Sequence, residues 1–205
     1  MMTSFELFDN FFQAAVMLVC AIGSGILAWR RRKPEYVLLS FSYLCWMLGT
    51  LYYVLHLTIT GVVPNIFYVS ELSWIASYLF LLSLSILQGS VEGISRRPVW
   101  TFLPASLPLA LSLTFAILNG SELIAIGFGS VTAALCAHSL FRIASHTKSK
   151  APLVTLVAIA LQGAVYIISA FTADYTRFNA YFAADILLTL TLASLLPVLY
   201  REVES

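Results

Sequence analysis

The chain has 205 residues, of which 60% are hydrophobic and only 10% charged, and its net charge is +1. An ordinary soluble domain is nearer half apolar and a quarter charged, and this length has room for one domain, so the apolar excess cannot be the core of something larger. A water-soluble globule is excluded, the lipid bilayer is the expected solvent, and no nucleic-acid partner is expected.

A spanning helix needs about 20 mostly apolar residues, and seven stretches meet that need. The first, Phe12–Trp29, follows the tail MMTSFELFDN, which has acids but no Lys or Arg. That is the wrong flank for a cleavable signal peptide, so the span is expected to stay. Its Ser24, between glycines in IGSGIL, reads as a helix-packing serine. The second stretch, Tyr36–Thr60, carries a stripe of Gly49, Tyr52, His56 and Thr60 in its later half. The third, Ile66–Gln88, places Tyr68, Glu71, Trp74 and Tyr78 on one face, each three or four residues from the next.

The fourth, Val99–Leu118, contains Pro104 and Pro108. On the fifth, Leu123–Ala144, the small residues Ala125, Gly129, Ala133 and Ala137 recur every four positions, a spacing that lets helices approach closely. The sixth, Leu153–Ala173, contributes Gln162, Tyr166 and Ser169. The seventh, Ala180–Tyr200, follows Asn179, an N-cap residue type, and carries Asp185.

Charge gives the orientation. Of the 11 basic residues, only Arg177 falls on the side where the chain begins; Arg30, Arg31, Arg32, Lys33, Arg96, Arg97, Arg142, Lys148, Lys150 and Arg201 fall on the other. The positive-inside rule then puts the N-terminus outside and the C-terminus inside, with the plasma membrane as the expected location.

Two parts of the chain repeat each other. Gly49, Tyr52, Asn65 and Glu71 are matched by Gly163, Tyr166, Asn179 and Asp185 at one constant offset. Because stretches one to three and five to seven both start outside, the halves are parallel. The expected fold is therefore an all-α integral membrane protein of seven transmembrane helices in a single domain, 1–205. Its two three-helix repeats, 12–88 and 123–200, are joined by a linker helix, 99–118. Parallel repeats about an axis along the membrane normal are a transporter plan. In outline this 3+1+3 order resembles the SWEET sugar transporters, the PQ-loop proteins and the seven-helix opsins. The resemblance is architectural: no Pro-Gln dipeptide is present, and no span holds a lysine for a retinal Schiff base.

Glu71 and Asp185 would each sit roughly 8 Å below the outer helix ends, at 1.5 Å per residue. A carboxylate at mid-membrane costs about 2.5–3.5 kcal/mol on insertion scales, so two at matched depth ask for a cause. If the repeat brings them together, they face a shared outward-facing pocket with His56, Tyr52, Tyr166, Trp74, Tyr68 and Gln162, suited to a small cationic or polar ligand. The same acids also read as interhelical glue.

The functional expectation is a small-solute transporter or solute-binding membrane protein. Its alternatives are a seven-helix receptor signalling through a partner protein, and a lipid-modifying enzyme using Glu71, His56 and Asp185 as acid–base groups. A homo-oligomer, an unidentified partner protein and membrane lipids are the other companions considered. No metal or cofactor is expected. His56, His138 and His146 lie at different depths, and Cys20, Cys45 and Cys136 have no metal-type spacing.

Overall fold

The computed structural model describes residues 4–61, 68–91, 98–119, 122–145, 148–172 and 174–204, and these are all-helical apart from short connections. The helices are α1 (Ser4–Arg31), α2 (Pro34–Thr60), α3 (Tyr68–Val91), α4 (Phe102–Asn119), α5 (Glu122–Ala144), α6 (Ala151–Phe171) and α7 (Ala180–Glu204); a 3-10 turn, Val99–Thr101, leads into α4. Every one except α4 is long and apolar enough to cross a membrane, which marks an integral membrane protein. Where the sequence analysis counts seven spans, the described residues give 6, and the apolar stretch leading through α4 is the shorter Val99–Thr114.

Local chemistry sets the helix ends. Pro34 and Pro152 lie in the first turns of α2 and α6, where a missing N–H is no loss. Helix α2 stops at Gly61, whose φ of 68° suits a residue without Cβ and whose N–H bonds Leu57 O. At α7 the expected N-cap is present: Asn179 Oδ1 accepts from the backbone N–H of Tyr181 at 2.9 Å and of Phe182 at 3.4 Å. Asn65, its counterpart, lies outside the described residues. Helix α1 starts at Ser4, about two turns before the expected Phe12. Residues 4–10 of the expected acidic tail are thus part of the helix, and Asp9 enters the bundle.

The packing closes on itself. α1 packs on α2, α2 on α3, α3 on α5, α5 on α6, α6 on α7, and α7 on α1; α4 rests against α5, with a slighter contact to α6. Six helices therefore form a ring and α4 stands outside it. One cause is Gly129 on α5, where an added Cβ would come within 2.8 Å of Ser112 Cβ on α4. The interior of the ring is filled by the fully buried Met17, Leu39, Tyr43, Tyr78, Leu135, Leu188 and Leu199. Tyr43 reaches from α2 to α7, donating to Leu192 O at 2.7 Å. Such fit matters more in lipid than in water, because association there depends on packing and hydrogen bonds.

We call the end of the bundle where α1 begins the N-face and the end where α7 stops the C-face. At the N-face, Phe5 packs on Phe178 and Phe182 with ring centroids 5.3 and 4.8 Å apart. At the C-face, Arg31 pairs with Glu204 at 3.5 Å, and Tyr36 donates to the same carboxylate at 3.3 Å.

Candidate functional site

The most polar part of the buried interior is where α1 meets α7, a short way below the N-face. Asp9 and Asp185 are 2% and 9% exposed, and their carboxyls lie close enough to interact directly. Gln13, one turn beyond Asp9, donates through Nε2 to both oxygens of Asp185 and to Thr189 Oγ1, at 3.2–3.3 Å. Thr50 on α2 donates to Gln13 Oε1 at 2.7 Å. The helical repeat puts Asp9 and Gln13 on one face of α1, and Asp185 and Thr189 on one face of α7. The cluster therefore joins three helices with every one of these side chains engaged.

A second set of polar groups faces this cluster across the ring. Tyr78 on α3 is fully buried and donates to Gln162 Oε1 on α6 at 3.3 Å. Tyr78 lies within electrostatic reach of both Asp185 and Tyr166, and Tyr166 feels the charge of Glu71. The two acids singled out in the sequence do not meet directly: the carboxyl partner of Asp185 is Asp9 on α1, whereas Glu71 stands half-buried on the α6 side.

The remaining expected residues are more scattered. His56 and Tyr52 stack loosely on each other on α2, with centroids 6.0 Å apart. Trp74 packs on Trp46 at 6.4 Å and lies against Gly49, where an added Cβ would sit 3.0 Å from Trp74 Nε1 and from Ser70 O. Tyr166 packs edge-on against Phe128, which does the same with Tyr78. Tyr68 opens α3, and its side chain lies outside the described residues. Glu71, His56 and Asp185, the set that an acid–base enzyme would need, share no hydrogen bond among the described residues. None of these residues forms a metal-binding group of three or more among those described.

No family model, curated protein or solved structure matches the chain. Its chemistry therefore has to be argued from its own residues.

Above the acid cluster the N-face is closed by aromatics. Tyr175 and Phe178 from the connection before α7 pack with Tyr181, Phe182 and Phe5, and Tyr175 donates to Ser169 O at 3.2 Å. Tyr53 on α2 donates to Glu6 at 3.4 Å in the same layer. Burial and the nearby Glu6 both push the Tyr175 phenol above its usual range, so it stays neutral at physiological pH. Sequence reasoning missed Asp9, Gln13 and Thr50. A signal for the first two existed: Phe5, Phe8 and Phe12 follow helical spacing through the supposed tail, and their rings contact in series.

At the C-face a different polar cluster closes the bundle. Arg142 on α5 is 1% exposed. Its guanidinium donates to Gln88 Oε1 on α3 at 2.9 Å and to Ser149 Oγ at 3.0 Å. Ser149 in turn donates to Glu202 on α7 at 2.8 Å, and Glu202 accepts the backbone N–H groups of Lys150 and Ala151 at the start of α6. Behind this cluster is a cavity of about 10 Å³, room for about one water, lined by Leu81, Ser85, Gln88, Arg142, Thr155 and Leu195 among others.

Proposed function

We propose that this chain is a membrane carrier for a small solute, coupled to a proton or a cation held at the Asp9–Asp185 pair. The observation that carries the reading is that pair itself: two buried carboxyls in contact across the α1/α7 packing of a membrane bundle. Ionisable groups inside a span are costly and mark ion or substrate pathways by default. Two carboxyls close enough to interact share a proton between them, which makes the pair a natural place to load and release one. Tyr78, Gln162, Tyr166 and Glu71 continue the polar layer to the far side of the ring, where a solute would find both donors and acceptors.

The helix contacts support the repeat on which this reading rests. Exchanging α1, α2, α3 for α5, α6, α7 turns the α3/α5 contact into α7/α1 and leaves the ring unchanged. Helix α4, outside the ring, then acts as the linker that keeps the halves parallel, as in transporters built from parallel repeats. The excess of basic residues toward the C-face supports a cytoplasmic side for that face. The filled interior corresponds to an occluded state, from which either face would open in turn.

The test uses protein reconstituted in liposomes that contain a pH-sensitive dye, challenged with amines, sugars and alkali cations. At least one of these is expected to drive proton movement or its own uptake. Asp9→Asn and Asp185→Asn are expected to abolish that flux while the protein remains folded in detergent; undiminished flux in both would remove the pair from the mechanism.

A further inference from the structure

Helix α7 ends in two glutamates that fasten it to opposite halves of the chain. Glu204 holds α1 and α2 through Arg31 and Tyr36. Glu202 holds the start of α6 through the N–H groups of Lys150 and Ala151, and through Ser149 it is joined to Arg142 on α5. The two attachments differ in kind. Arg31 and Glu204 have side chains 49% and 24% exposed, so water screens their attraction. Arg142 is buried, and its bonds to Gln88 and Ser149 carry a charged donor away from solvent, where such bonds are the stronger ones.

The cavity lies directly behind this second attachment. Gln88 and Arg142 form part of its wall, as do Leu195 and Leu199, two and one turns before Glu202 on the same helix. Four helices, α3, α5, α6 and α7, contribute to the lining, so the void lies between the two halves of the ring rather than within one of them.

The geometry points to a gate: Arg142 is the plug that shuts off the cavity between the halves from the C-face, and Glu202 is the latch that holds the plug in place. This rests on the carrier reading for its purpose but not for its geometry. Freeing Glu202 releases the start of α6 and Ser149 together, and the guanidinium loses its attachment to α7. The cavity behind it then opens to the C-face, with Thr155 and Leu195 as the first side chains reached. Glu204 has no part in this, because its contacts are all on the α1/α2 side.

The test is thiol accessibility. Cysteine is placed at Thr155 in full-length protein whose Cys20, Cys45 and Cys136 are replaced by alanine, and a membrane-impermeant maleimide is applied from the C-face of oriented vesicles. In the parent the residue is expected to be protected. In Glu202→Gln the labelling rate is expected to rise about tenfold or more, the change that losing charged hydrogen bonds would give, whereas Glu204→Gln is expected to leave it unchanged. Should Glu202→Gln fail to fold, Ser149→Ala removes the same bridge with a smaller change and is expected to raise labelling in the same direction. Equal protection in parent, Glu202→Gln and Ser149→Ala would overturn the gate, as would an equal rise in Glu204→Gln. Because no solute is involved, a gate that opens in a protein that moves nothing would leave this inference standing and sink the carrier.

Discussion

The two seams along which the halves of the ring meet, α1/α7 and α3/α5, are polar at opposite ends. Along α1/α7 the strong contacts lie at the N-face, where Asp9 and Gln13 meet Asp185 and Thr189; at the C-face end the described residues give the exposed Arg31–Glu204 pair and a long bond from Lys33, just past α1, to Val203 O. Along α3/α5 the order is reversed. Toward the N-face the contacts that α3 and α5 make with each other are apolar, with Ile75 beside Gly127 and the Tyr78 and Phe128 rings 5.4 Å apart, while the Tyr78 hydroxyl turns to Gln162 on α6. Its C-face end holds Ser85 against His138 Nδ1 at 2.9 Å and the buried Arg142 against Gln88. Each face is thus closed by a different seam. In a carrier that opens one face at a time, this lets one closure loosen without disturbing the other.

The contrast is tested most forcefully at the C-face, where both seams end in an arginine. Arg142→Ala leaves Gln88, Ser149 and Glu202 without the buried charge that joins them, and removing one member of such a group costs about 3–5 kcal/mol. Arg31→Ala removes a half-exposed partner and is expected to cost at most about 1 kcal/mol. Thermal unfolding in one detergent, with the two variants side by side, measures the difference. Equal losses would mean that the seams do not differ at this face.

Much of this asymmetry could not be read from the sequence, and the reasons are specific. Six spans were legible because length and apolar content suffice to mark them. The repeat motif points to Asp185, but part of that motif is the grammar of a helix start, because Asn179 caps α7. The partner of Asp185 is 176 positions earlier by subtraction of the residue numbers (185 − 9), and no local pattern encodes that contact. Asp9 is hidden because acids before the first long apolar run look like a solvated tail. The aromatic spacing that carries it into the bundle is interrupted by Glu6, Asp9 and Asn10, so it reads weakly beside the run that follows. Arg142, at the end of its apolar run, looks like one more of the cations that set orientation. Its burial depends on Gln88 and Ser149, one of them on another helix and the other beyond the end of its own.

At the N-face the expected effects are smaller and separate charge from contact. Asp185→Leu leaves the buried Asp9 carboxyl without its partner and leaves Gln13 Nε2 with Thr189 alone, a loss of about 1–3 kcal/mol. Asp185→Asn keeps an acceptor for Gln13 and offers a donor to Asp9, so it is expected to cost under about 1 kcal/mol and to act on flux instead. Beside the other seam at this face, Tyr78→Phe removes the bond from α3 to Gln162 on α6 and keeps the ring against Phe128 on α5. Interhelical hydrogen bonds in a membrane average about 0.6 kcal/mol, and that is the loss expected. If Tyr78→Phe proves as costly as Asp185→Leu, the strong contacts at this face are not confined to α1/α7.

The finest comparison concerns how closely the backbones of each seam approach. Gly23 on α1 faces Leu196 of α7, and an added Cβ would lie 3.3 Å from Leu196 Cδ2; Gly127 on α5 faces Ile75 of α3, with 3.6 Å to Ile75 Cδ1. The second distance is ordinary contact, so Gly127→Ala gains helix propensity, up to about 1 kcal/mol, at no steric cost. The first requires the tip of a leucine to move slightly, which offsets the same gain and leaves Gly23→Ala near neutral. The expected order of melting temperatures is therefore Gly127→Ala above parent, with Gly23→Ala close to parent. A reversal would place the tighter backbone approach at α3/α5, and the seam held there by a buried arginine would also be the more closely packed one.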